Sequence, residues 1–203
     1  MKISNGVKPV IDRRMRRDIM DVIENTCDRM TARFSRVLCV RIDVRFPADY
    51  PHTGMNSEIG ELTKRLRESL GFHGIEIQYV WVREQKASDN PHYHLMVFVD
   101  GHEVTSPYRI FSAAERLWGN IIGVSAKGLI DHCNHEYNGD RAHNGIMLRR
   151  PSNKASGQEF DEQSQEFDNS RAYALSRASY LAKTHTKGNA PYRVREYGYS
   201  QLR

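Results

Sequence analysis

The run Asn90-Pro91-His92-Tyr93-His94-Leu95-Met96-Val97-Phe98-Val99 turns and then extends. Asn-Pro punctuates a loop, and the aromatic, aliphatic and β-branched residues after it favour a strand beginning near His92. Side chains alternate between faces along a strand, so His92, His94, Met96 and Phe98 share one face while Tyr93, Leu95, Val97 and Val99 share the other. Two imidazoles on one face of a strand serve either as a pair of metal ligands or as half-buried sheet histidines. A metal needs a third ligand. Glu84 lies at the end of an apparent strand from Ile75, and a hairpin through the polar segment Gln85 to Pro91 brings it back to the histidines.

Working upstream, Arg36 to Phe46 shows strict alternation, with Leu38, Val40, Ile42, Val44 and Phe46 on one side and Cys39, Arg41, Asp43 and Arg45 on the other. This is expected to be a central strand, with Arg41, Asp43 and Arg45 on an ordinarily solvated polar face. Asp12 to Phe34 reads as an N-terminal helix with a basic face including Arg13, Arg14 and Arg17, suited either to phosphate contacts or to plain solvation. A helix from Asn56 or Ser57 to about Leu70 and another from Thr105 to Ile122 complete the order strand, helix, two strands, helix. That order is the first part of a ferredoxin-like plan. The expected class is therefore α+β, a ferredoxin-like or RRM-like antiparallel sheet with helices on one face, an added N-terminal helix and a C-terminal helix.

Downstream, Gly128 to His135 and Ile146 to Arg149 read as strands, and Pro151 to Gln165, rich in Ser, Gln and acids, as a flexible linker. A helix is expected from about Phe167 to Lys187. On a helical wheel Tyr173, Arg177, Tyr180, Lys183 and Lys187 fall within an arc of about 120°. The tail from Pro191, rich in Tyr and Arg, suits backbone or stacking contacts to a single strand.

Glu84, then Pro91-His92-Tyr93-His94, then Tyr180-Leu181-Ala182-Lys183, in that order, resemble the motifs of the HUH endonuclease superfamily over about residues 36 to 190. The closest resemblance is to inovirus-type replication proteins and their prophage-encoded relatives. It implies three parts: a basic helical extension over 1–35, the endonuclease domain over 36–190 and a basic aromatic tail over 191–203. It also implies Tyr180 as nucleophile with Lys183 beside it, and a divalent ion, Mg²⁺ or Mn²⁺, on Glu84, His92 and His94. Arg13, Arg14, Arg17, Arg41, Arg177 and Lys187 are the expected DNA contacts. The implied activity is nicking of single-stranded or hairpin DNA through a 5′-phosphotyrosine, to initiate rolling-circle replication of a phage or mobile element. A relaxase or single-tyrosine transposase uses the same chemistry, and a non-catalytic DNA-binding regulator could use the same scaffold. One of His132, His135 and His143 is the alternative third ligand, since relaxases use three histidines.

Composition agrees with a polyanionic partner. The 203 residues carry a formal charge of +5, which favours nucleic acid over a membrane or an acidic protein. Cys27, Cys39 and Cys133 show no paired spacing, which argues for a reducing compartment. Without a spanning apolar stretch or signal-peptide pattern, the expected location is cytoplasmic. The chain leaves no length for a helicase, so unwinding is expected to fall to a partner such as a host helicase.

Overall fold

The computed structural model describes residues 15–85, 90–135, 140–184 and 190–201. Its elements run α1 (Arg17–Arg33), β1 (Arg36–Val44), α2 (Ser57–Gly71), β2 (Ile77–Glu84), β3 (His92–Asp100), α3 (Tyr108–Ile122), β4 (Ile130–Asp131), β5 (Ile146–Arg149), α4 (Gln158–Ala178), a 3₁₀ turn at Ser179–Ala182 and β6 (Tyr197–Tyr199). The strands form one six-stranded sheet in the order β4-β1-β3-β2-β6, with β5 also paired to β1. Every pairing is antiparallel. This is the expected α+β, ferredoxin-like class.

Strand alternation divides the interior into two cores. Leu38, Val40, Ile42 and Val44 of β1 and Tyr93, Leu95, Val97 and Val99 of β3 meet the apolar stripes of α2 and α3, among them Leu62, Leu66, Phe111 and Trp118. The opposite face, with Val37, Cys39, Val80, Val82, Met96 and Phe98, is covered by Ile19, Ile23, Cys27 and Met30 of α1 and by Ala174, Ala178, Leu181 and Ala182 after it. The added N- and C-terminal helices thus share the face to which His92 and His94 belong. Removing the bulk of one of these fully buried aliphatic side chains would cost about 2–5 kcal/mol.

Three expectations are corrected. Pro151 to Gln165 is not a linker throughout, because α4 already begins at Gln158. Its first half is exposed and polar, and side-chain bonds one turn apart stitch it together: Gln158 to Glu162, Gln163 to Glu159 and Gln165 to Asn169. The α-helix also stops at Ala178, and Tyr180 sits in the 3₁₀ turn that follows. The expected wheel therefore does not extend past Ala178, and Lys187 lies outside the described residues. The strand expected over Gly128 to His135 shrinks to Ile130–Asp131, beyond which Cys133 takes a left-handed φ of 50°.

The tail adds a strand. Tyr197–Tyr199 pairs with Val80 to Val82 of β2, and the approach is so close that a Cβ on Gly198 would lie 2.6 Å from the Trp81 ring. Only glycine lets the backbone come that near a rigid indole.

Candidate active site

The site forms where the second core runs out at one end of the sheet. On β2 the face carrying Val80 and Val82 continues to Glu84; on β3 the face carrying Phe98 and Met96 continues to His94 and His92; on β1 the face carrying Cys39 continues to Arg41 and Asp43. Register then fixes the neighbours. Glu84 stands opposite His92, and Asp43 stands opposite His94.

His94 is the hub. Its Nε2 lies 2.7 Å from Glu84 Oε2, and its Nδ1 lies 2.7 Å from Asp43 Oδ1. The Asp43 contact is close but not aligned as a hydrogen bond, leaving Nδ1 without a well-directed acceptor, so it is best described as electrostatic. His92 Nε2 lies 3.9 Å from the same Glu84 oxygen. One ligand atom from each of Glu84, His92 and His94 fits within 4.8 Å of the others, so the group can hold a metal ion. The donor set suits one: two imidazoles and a carboxylate, with the Asp43 carboxylate close to the far nitrogen of the His94 ring. None of His132, His135 or His143 belongs to this group, and His132 is instead stacked on Phe111 with ring centroids 4.0 Å apart.

Burial shapes the charges. It works against a charged His94, but Asp43 and Glu84 outweigh it and raise the imidazole's pKa. Burial and the neighbouring His94 push the pKa of His92 the other way, below its ordinary value. Asp43 is also buried, yet His94 and Arg41 hold its carboxyl well below the usual range. The pattern is a carboxylate locked in its charged form against the central histidine.

Tyr180 reaches this cluster from the end of α4. Its ring stands edge-on to His94 at a centroid distance of 5.1 Å. Two cations lie over it: Arg41 Cζ at 4.1 Å and Lys183 Nζ at 4.0 Å from the ring centroid. Burial, followed by the Glu84 charge, raises the phenol's pKa against the pull of Arg41. Burial and Arg41 lower that of Lys183. The turn is anchored from both sides. Leu181 and Ala182 are buried in the second core, the Arg16 amide donates to the Ala182 carbonyl at 2.8 Å, and Met15 forms a β-bridge with Lys183. The segment leading into α1 therefore helps place the phenol.

A cavity of about 340 Å³ opens beside the tyrosine, lined by Arg41, Asp131, Ser176, Arg177, Ser179 and Lys183 among others. Arg177, expected to meet DNA, is buried and donates to the carbonyls of Cys133 and His135. Arg17 is exposed at the start of α1. Arg13, Arg14 and Lys187 lie outside the described residues. Tyr173 is 38% exposed on α4 and lies outside the cluster around His94. Alternation places Asp43 only on the polar face of the first strand; its partnership with His94 depends on the β1–β3 register, which no local pattern encodes.

Among the described residues no helix is long and apolar enough to cross a membrane. No curated protein and no solved structure matches the chain. The family model of the YagK/YfjJ C-terminal domain matches residues 5–200, nearly the whole sequence, and the chain belongs to that family.

Proposed function

We propose that this protein is a metal-dependent single-strand DNA endonuclease and strand transferase of HUH type, which nicks DNA through a 5′-phosphotyrosine to initiate rolling-circle replication of a phage or mobile element. One observation carries the reading: the ring of Tyr180 stands edge-on to His94, a member of the Glu84, His92 and His94 cluster, with centroids 5.1 Å apart. A tyrosine buried only for packing has no need of a carboxylate and imidazole cluster on one side and two cations on its ring. The basic charge of the chain and the cavity beside the phenol agree with a polyanionic substrate.

The residues divide the work as follows. Glu84, His92 and His94 would hold the ion, with Asp43 orienting His94. A divalent ion held there, Mg²⁺ or Mn²⁺ as the resemblance implies, would supply Lewis acidity at the scissile phosphate. Tyr180 Oη forms a bond to phosphorus as the bond to O3′ breaks. The phenol's proton passes to solvent water and the departing 3′ oxygen takes one up from it, leaving a free 3′-hydroxyl and no net change in protons. Arg41 and Lys183 offset negative charge on the phenolate and the phosphate. Because the tyrosine must reach an exposed backbone, the substrate is unpaired or a hairpin loop, and opening of duplex falls to a partner such as a host helicase.

The test is a 3′-end-labelled single-stranded oligonucleotide library incubated with protein and Mn²⁺, then resolved on native and denaturing gels. The reading predicts a denaturant-resistant protein–DNA adduct that disappears with EDTA and in His94→Ala. Cleaved DNA without an adduct would indicate simple hydrolysis, and a mobility shift with neither cleavage nor adduct would indicate a DNA-binding regulator.

A further inference from the structure

The tail that ends in β6 is tied down at several points, yet its tip is left in solvent. Glu196 accepts a hydrogen bond from the Arg83 amide at 2.7 Å, and the Arg195 carbonyl accepts one from Asn56 Nδ2 at 2.8 Å. Pro191 packs near Gly54, whose Cβ would lie 3.5 Å from the proline ring. Between these anchors the Val194 amide donates to the Pro191 carbonyl at 2.9 Å. This closes a tight turn with Tyr192 and Arg193 at its tip.

Neither tip residue is explained by folding. Tyr192 is 88% exposed, the largest exposure among the large apolar and aromatic side chains of the described residues. Arg193 has a φ of +65°, the left-handed region in which a turn ordinarily carries Gly or Asn. Its guanidinium lies over the Tyr192 ring, 5.1 Å from the centroid. A strained, non-glycine residue that buries nothing points to function rather than packing.

We propose that Tyr192 and Arg193 form a stacking platform for a nucleobase of single-stranded DNA. Arg193 covers one face of the phenol ring, a base stacks on the other, and the guanidinium meets the adjoining phosphate. The tip hangs from the end of β2 that carries Glu84. Glu196 is bonded to Arg83, the neighbour of Glu84, and four residues of chain place Tyr192 no more than about 14 Å from Glu196. The inference rests on single-stranded DNA being the ligand, as in the proposed function, but it does not require cleavage.

The test is fluorescence anisotropy with a labelled oligo-dT in EDTA, where no nicking occurs, using the full chain. Loss of one stacked base predicts weakening of about 5- to 100-fold for Tyr192→Ala, with Tyr192→Phe retaining affinity. Arg193→Gly separates function from fold. It should raise the melting temperature by relieving the left-handed strain while weakening oligo-dT binding and flattening its salt dependence. Unchanged oligo-dT affinity in both Tyr192→Ala and Arg193→Gly, with the unsubstituted protein binding normally, would overturn the platform and leave the nicking reading intact. Equal weakening toward duplex would also overturn it, since a paired base has no free face to offer. If the unsubstituted protein fails to bind single strands at all, both readings fall.

Discussion

The Asp43 carboxylate lies 2.7 Å from Nδ1 of His94 while Glu84 lies 2.7 Å from Nε2 of the same ring. Both nitrogens of one buried histidine are thus claimed by carboxylates on its two neighbouring strands. Only Glu84 belongs to the group that can hold a metal ion, so the proposed function makes Asp43 a positioning residue.

Asp43→Asn should therefore weaken Mn²⁺ binding by about 10- to 100-fold without removing a ligand. Titration calorimetry measures it directly. Affinity unchanged from the parent would show that His94 is oriented without Asp43.

Metal affinity should also rise with pH. Burial opposes the charged form of His94, but Asp43 and Glu84 prevail, so its folded pKa lies above the ordinary value. The sign for the metal-free fold follows from linkage: a raised pKa contributes stability that is complete below the unfolded value of about 6.5 and is lost as pH rises through the folded value. Metal binding runs the opposite way, because only the neutral ring coordinates. The increase in melting temperature caused by saturating Mn²⁺ should thus be larger at about pH 8 than at about pH 6. A pH-independent increase would remove His94 from the ligand set.

Gly198→Ala tests the docking of the tail. The new methyl would stand 2.6 Å from Trp81 Cζ2 and 2.7 Å from Cε2. Overpacking against a rigid ring costs about 1–3 kcal/mol, which for a chain of this size lowers the melting temperature by roughly 2–12 °C. A melting curve indistinguishable from the parent would mean that β6 can leave the sheet without consequence.

Much of this was legible in the sequence, for a physical reason. The alternation in Arg36 to Val44 and in the His92 strand is enforced by burial on both faces, so it predicted which side chains share a face and brought Glu84 to the histidines through a hairpin. What was illegible depends on partners distant in the chain. The first half of α4 looks like a linker because its residues are polar, and only side-chain bonds one turn apart and the packing of Phe167 reveal a helix. The turn around Tyr180 is set by Arg16 and Met15 from the far end of the chain, and β6 is three residues whose glycine is required by an indole on another strand.

The central claim is that Tyr180 becomes covalently bonded to DNA. The most direct measurement is peptide mapping by mass spectrometry of the adduct trapped with Mn²⁺ and a single-stranded oligonucleotide. The account predicts a nucleotide on the peptide carrying Tyr180, loss of the adduct in Tyr180→Phe with DNA binding preserved, and an adduct largely intact in Tyr173→Phe. A nucleotide on Tyr173, or no covalent product from a protein that binds both metal and DNA, would contradict it.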